Sequence, residues 1–142
     1  MSAIDERYHK LHPTSASLYE KAQTLFPDGV THETRYVTPF PIFATHGIGP
    51  LKWDVDGNKY VDYVSGHGSL LLGHSHPAVV AAVADQVARG THLGASHETE
   101  IRWGELIIKL IPSAEKVRFT SSGTEATMMA FRMARAYTKK TK

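Results

Sequence analysis

Cysteine is absent from the 142 residues. Disulfides, Cys-ligated zinc and thiol chemistry are therefore excluded. No apolar run approaches the ~20 residues that a membrane-spanning helix needs, so no membrane partner is expected. Charge of one sign is also scarce: sixteen Lys and Arg against fourteen Asp and Glu leave +2, and 42% of residues are hydrophobic. That balance excludes a strongly hydrophilic disordered chain. The N-terminus, Met-Ser-Ala-Ile-Asp-Glu-Arg, has acids where a signal peptide needs an apolar core, so the expected compartment is the cytoplasm. Neither a Walker loop nor a G-x-G-x-x-G fingerprint occurs, and Ser69 stands outside any G-x-S-x-G elbow. The length suits one domain of roughly 100–200 residues, or part of a larger one.

The small net charge is unevenly placed. Arg132, Arg135, Lys139, Lys140 and Lys142 gather at the C-terminus without an acid among them. A basic tail is one mark of nucleic-acid binding. Here it reads instead as the last turn of a helix, where cations suit the macrodipole, and no nucleic-acid partner is expected.

Apolar spacing predicts a first helix, capped by Thr14 or Ser15, with Leu18, Ala22, Leu25 and Phe26 on one face. Pro27-Asp28-Gly29 ends it. Extended, Pro- and Gly-rich chain follows, with one short strand at Ile42–Thr45. Leu51, Trp53 and Val55 alternate with polar residues, Asp56-Gly57 supplies a turn, and Tyr60–Val64 returns as a hairpin partner. Asp54, Asp56 and Asp62 are then expected on the hairpin's solvent face and turn. Residues 65–76 form a Gly- and His-rich loop. Pro77 opens a helix with Val79, Val80, Val83 and Val87 on one face, closed by Gly90. Ser96 caps the next helix, which must stop near Pro112. A short strand at residues 116–119, the loop Ser121-Ser122-Gly123-Thr124 and a helix over about 125–137 complete the pattern. It resembles the opening of an α/β sheet with a single central strand. A parallel sheet needs further strands and cover on both faces, so the sheet is expected to be unfinished.

The strand–Ser-Ser-Gly-Thr–helix unit is the foremost site candidate. A helix N-terminus offers free N–H groups and partial positive charge to a phosphate. Gly123 permits close approach, and Ser122 and Thr124 add hydroxyl donors. The plain alternative is a βα turn with Thr124 as N-cap. Glu125 opposes an anion there, so it must turn outward or meet a cation. His74, His76, His92 and His97, with Glu98 and Glu100 nearby, form a second cluster. Zinc accepts such ligands, yet H-x-H in a glycine loop is commoner as capping and backbone hydrogen bonding, and no metal is expected. Arg35, among aromatics in irregular chain, suits a bidentate clamp on a substrate carboxylate or a stack on Tyr36.

Four segments together resemble the class III pyridoxal-phosphate (PLP) aminotransferases, in the group that includes glutamate-1-semialdehyde aminomutase. They are Pro27-Asp28-Gly29-Val30 followed by Arg35, Trp53-Asp54-Val55-Asp56-Gly57-Asn58 with Tyr60-Val61-Asp62-Tyr63, Leu72-Gly73-His74-Ser75-His76-Pro77, and Val117–Ala126 around Ser122-Gly123-Thr124. Their order and spacing agree from about residue 18 onward. The resemblance implies the N-terminal part of a fold type I PLP-dependent transferase, an α/β fold. Residues 1–70 would be an N-terminal segment of helix, extended chain and hairpin, and residues 71–142 the start of the large PLP-binding domain. It implies that Ser122, Gly123 and Thr124 hold the cofactor phosphate and that Arg35 binds the substrate carboxylate. Amino-acid and oxo-acid substrates and a homodimer are implied for the complete protein.

The same resemblance places the family's Schiff-base lysine, its pyridine-nitrogen aspartate and its ring-stacking aromatic downstream of this stretch. None of the lysines here matches that position, so no catalytic residue is assigned and the chain alone is expected to be inactive. His32-Glu33-Thr34 stands where the aminomutases usually have Ser-Pro-Val, and His67 where they carry Trp. Both departures favour an amino-acid transaminase, with β-amino acids as a substrate class, over the aminomutase alternative. Outside that class stand an inactive remnant and a His-rich metal- or ligand-binding module.

Overall fold

A computed structural model describes residues 2–141. The chain divides into two compact units, Met1–Thr91 and His92–Lys142.

The first unit opens with two helices where the sequence suggests one. Helix α1 (Ala3–Leu11) starts at Ser2, whose hydroxyl accepts the Asp5 N–H while the Asp5 carboxylate accepts the Ser2 N–H. This reciprocal cap satisfies two otherwise orphaned donors. Helix α2 (Pro13–Gln23) begins with Pro13 at its first position, behind His12. The expected cap at Thr14 or Ser15 is therefore corrected. Ser15 is completely buried, and both its N–H and its hydroxyl donate to Asp56 Oδ2, at 3.0 and 2.8 Å. The Thr14 N–H donates to Asp56 Oδ1 at 2.7 Å. A carboxylate from the hairpin turn thus caps α2 from outside. Of the expected apolar face, Ala22 is buried while Leu25 and Phe26 are exposed. Phe40, only 3% exposed, is the other buried apolar residue of the described chain. Its ring packs 5.0 Å from that of Tyr8 and 4.9 Å from that of His9.

Asp56 makes α2 sensitive to acid. Burial works against its charge, but the hydrogen bonds from Thr14 and Ser15 prevail, lowering the carboxyl pKa from 3.8 to about 2. A lowered folded-state pKa gives stability that is complete above the unfolded value and is lost as pH falls through the folded one. In the complete protein, the denaturant midpoint should drop between about pH 3.8 and about pH 2. Asp56→Asn should remove that part of the drop. An unchanged pH profile in the variant would refute the role.

Three antiparallel strands follow in the order β1-β2-β3: β1 (Ala44–Ile48), β2 (Leu51–Asp54) and β3 (Lys59–Val61). The expected hairpin is β2–β3, with Leu51 opposite Val61 and Trp53 opposite Lys59. The strand expected at Ile42–Thr45 lies later, as β1, and carries an irregularity between Ala44 and His46.

The Gly- and His-rich loop has unusual backbone. Ser65, Gly66, His67 and Gly68 are all left-handed, with φ of +46°, +58°, +58° and +85°. The turn is closed by the Gly68 N–H on the Val64 carbonyl at 3.1 Å. Beyond it, Gly49 and His74 exchange both backbone hydrogen bonds, at 2.9 and 2.8 Å, tying the loop to the β1–β2 corner. Helix α3 (Pro77–Arg89) starts at its proline and ends at Gly90, as the sequence predicts. Its Val79, Val80, Val83 and Val87 face is exposed.

In the second unit, helix α4 (Glu98–Leu110) is capped by His97, not Ser96. His97 Nδ1 accepts the Thr99 N–H, and Glu100 accepts the His97 N–H. The imidazole does what the serine was expected to do, one residue later. Residues 116–119 form no strand: residue 116 lies in a bend and 117–119 are irregular. A strand exists only by pairing, and none of the described residues pairs with them. Phe119 instead stacks on Trp103 with ring centroids 3.8 Å apart. Helix α5 (Gly123–Thr138) ends at Lys139, a left-handed C-cap. Of the basic tail, Lys142 lies outside the described residues. No described helix is long and apolar enough to cross a membrane.

Candidate functional site

Ser122, Gly123 and Thr124 stand together at the start of α5. Ser122 is the N-cap, and its hydroxyl accepts the Glu125 N–H at 3.2 Å. The cap expected at Thr124 is therefore at Ser122. Gly123 and Thr124 are the first two helical residues, whose N–H groups have no intrahelical acceptor. Of the N–H groups at the helix start, that of Glu125 is already taken. Glu125 meets no cation among the described residues: its Oε2 accepts the Ser121 N–H at 2.7 Å. The carboxylate thus folds back over the loop. A Cβ built on Gly123 meets no atom within 4 Å, so open space borders the helix start. Donors, partial positive charge and room for a ligand coincide there.

Arg35 ends a short 3₁₀ turn, Glu33–Arg35, in the first unit. It lines a cleft of about 640 Å³ together with Phe26, Val30, Thr31, Thr34 and Val37. The guanidinium is exposed, and its Nη1 donates to Thr31 Oγ1 at 3.0 Å. A planar fork of donors set against apolar walls suits a small carboxylate with an apolar body.

Asp56 lies in the hairpin turn as expected, but Asp54 and Asp62 are buried rather than on a solvent face, and that expectation is corrected. Asp54 is 2% exposed. It accepts from the Asp56 and Asn58 N–H groups, from Asn58 Nδ2 and, at 2.6 Å, from the Tyr60 hydroxyl. His12 Nε2 lies 2.7 Å from that hydroxyl. Burial opposes the Asp54 charge, but these donors outweigh it and hold the carboxyl below the usual range. Burial, and then the neighbouring Asp54, push the Tyr60 hydroxyl up. Asp62 is also buried, bonded to His74 Nε2 at 2.6 Å and Lys52 Nζ at 3.2 Å. The His74 hydrogen bond is the main cause holding its carboxyl well below the usual range. Periodicity placed these acids outward. The available signal was the run Asp54-Val55-Asp56-Gly57-Asn58, in which an Asp before a tight turn accepts the turn's own N–H groups.

The histidines are dispersed into separate tasks. His74 bonds Asp62, His76 precedes α3 and His97 caps α4. Among the described residues, no group of three or more His, Asp or Glu side chains is placed to hold a metal ion.

Comparison with known proteins bears on the family and the fold. Residues 32–142 match the model of the Aminotransferase class-III family. The glutamate-1-semialdehyde 2,1-aminomutase of Chloroflexus aurantiacus is 49% identical over 141 residues, covering 97% of this chain and 31% of that protein. A β-phenylalanine aminotransferase from Variovorax paradoxus superposes with a TM-score of 0.90 at 31% identity, covering 95% of this chain and 31% of its own. A transaminase solved with PLP bound gives 0.88 at 39% identity, over 92% of this chain and 31% of its own. The mixed helix–strand architecture is thus that of the N-terminal part of PLP-dependent aminotransferases, and the chain spans about 31% of the length of the curated relative.

Proposed function

We infer the function from one premise: this chain belongs to the class III aminotransferase family, whose members are PLP-dependent aminotransferases and aminomutases. The complete protein transfers an amino group between an amino acid and an oxo acid, using PLP. Residues 1–70 are the N-terminal segment of that protein and residues 71–142 open its cofactor domain. It works as a homodimer in the cytoplasm. When bound, PLP supplies an electron sink for the reacting carbon. This chain's own part is to bind and orient. Gly123 and Thr124 donate to the cofactor phosphate at the start of α5, with Ser122 fixing the turn. Arg35 binds the substrate carboxylate. No lysine here serves as the catalytic base, and the chain alone has no turnover.

Transaminase and aminomutase remain two readings of one family. The 49% identity to an aminomutase favours the second. His32-Glu33-Thr34, His67 and the similarity to an enzyme named for β-phenylalanine favour the first, with β-amino acids as donors.

The open space beside Gly123 carries the cofactor assignment. Each hydrogen bond to a charged group contributes ~1.5–3 kcal/mol, against ~0.3–1 kcal/mol from the helix dipole. Individual donors should therefore outweigh the dipole. In the complete protein, Thr124→Ala should weaken PLP binding about tenfold if ~1.4 kcal/mol is lost. Gly123→Val should weaken it further by filling the phosphate's place, while the unfolding midpoint of the PLP-free protein stays close to wild type. Spectroscopic titration with PLP measures both. Unchanged affinity in both variants would leave only an N-capped turn.

A further inference from the structure

Arg35 makes a contact that carboxylate binding does not use. Its Nη1 donates to Thr31 Oγ1 at 3.0 Å. The same hydroxyl lies 2.9 Å from His32 Nδ1. A threonine hydroxyl has one proton and two lone pairs, and a guanidinium has only protons to offer. The hydroxyl therefore accepts from Arg35 and keeps a second hydrogen bond, with His32 Nδ1. The Arg35 N–H bonds the His32 carbonyl at 2.9 Å, so the backbone turn and the side-chain contact fix the same short segment. Thr31 and Arg35 line the same cleft.

We propose that Thr31 is a positioning residue for Arg35, holding one edge of the guanidinium so that its remaining N–H groups are arranged for a substrate carboxylate. This rests on the assignment of Arg35 to that carboxylate. A long arginine side chain loses rotamer freedom when a ligand fixes it. A side chain already held loses less on binding, so the anchor acts on affinity. Thr31 acts on the carboxylate through Arg35. Its removal should raise KM for carboxylated donors and leave kcat alone, the signature of binding that ground and transition states share.

The test uses the complete protein with PLP bound and two donors of the same shape. One is 3-aminobutanoate; the other is sec-butylamine, in which a methyl group replaces the carboxylate. Binding is read from the spectral change of the bound cofactor, and turnover gives kcat separately. Thr31→Val should weaken 3-aminobutanoate roughly five- to tenfold, with kcat and sec-butylamine binding unchanged. Thr31→Ser, which keeps the hydroxyl, should restore affinity. Arg35→Ala should show the same selectivity with a larger effect. If Arg35→Ala is selective and Thr31→Val is silent, the positioning role is overturned and the carboxylate assignment stands. If Thr31→Val weakens both donors alike, Thr31 serves only the turn and the proposal fails. If Arg35→Ala weakens both donors alike, the carboxylate assignment itself fails and the positioning role falls with it.

Discussion

Replacing Asp54 with alanine in the complete protein is expected to destabilise it by about 3–5 kcal/mol. The carboxylate joins parts of the chain that have little apolar burial to hold them. It accepts from the β2–β3 turn through Asp56 and Asn58 and from β3 through Tyr60, whose hydroxyl continues to His12 before α2. Truncation strands several donors at once, and each buried unsatisfied group costs roughly 1–3 kcal/mol. The Tyr60 hydroxyl keeps His12, so the loss is smaller than the full sum. Asp54→Asn preserves shape and one acceptor, and should cost less than alanine. Denaturant unfolding of the three proteins measures the difference. A loss below about 1 kcal/mol for alanine would show that the network is not a structural hub.

Gly73→Ala should be the second severe change. Gly73 has φ +77°, and a Cβ there would stand 2.8 Å from the carbonyl carbon and oxygen of Gly49. Those atoms belong to backbone, which cannot swing aside. The Gly49–His74 pairing must open, losing two hydrogen bonds of roughly 1 kcal/mol each. The left-handed conformation adds roughly 1–2 kcal/mol for a residue with a side chain. A total of about 2–4 kcal/mol follows, provided part of the strain relaxes. Gly57 provides the control. Its φ is +82°, but a Cβ there meets nothing within 4 Å. Gly57→Ala should therefore carry only the conformational cost, about 1 kcal/mol. Equal losses at the two positions would refute the role of close approach.

These two residues mark where sequence reasoning reaches and where it stops. The β2–β3 turn, the start of α3 at Pro77 and the end of α4 before Pro112 were legible because proline, glycine and alternating apolar residues act locally. Ser122, Gly123 and Thr124 were legible as a group for the same reason, although the cap falls on Ser122. Helix α1 was missed because it holds few apolar residues and its start depends on the Ser2–Asp5 exchange. The aspartates were misplaced because alternation describes strand faces, whereas Asp54 and Asp62 answer to donors on other segments. Ser15 is the clearest case: an ordinary cap residue by sequence, it is buried to serve a carboxylate of the hairpin. Arg35 could be named from its motif, but its tie to Thr31 needed the turn geometry.

The external cap on α2 has a consequence for the order of folding. Ser15 and Asp56 are separated by 41 positions, so the helix cannot obtain its cap from its own neighbourhood. Closing that loop costs chain entropy before the contact returns anything. The β2–β3 turn, built from contacts a few residues apart, can form early, whereas α2 gains its N-terminal anchor only after the turn is in place. Helix α2, although synthesised before the hairpin, is thus completed late, and its first turn remains provisional until Asp56 has been synthesised and the hairpin has closed.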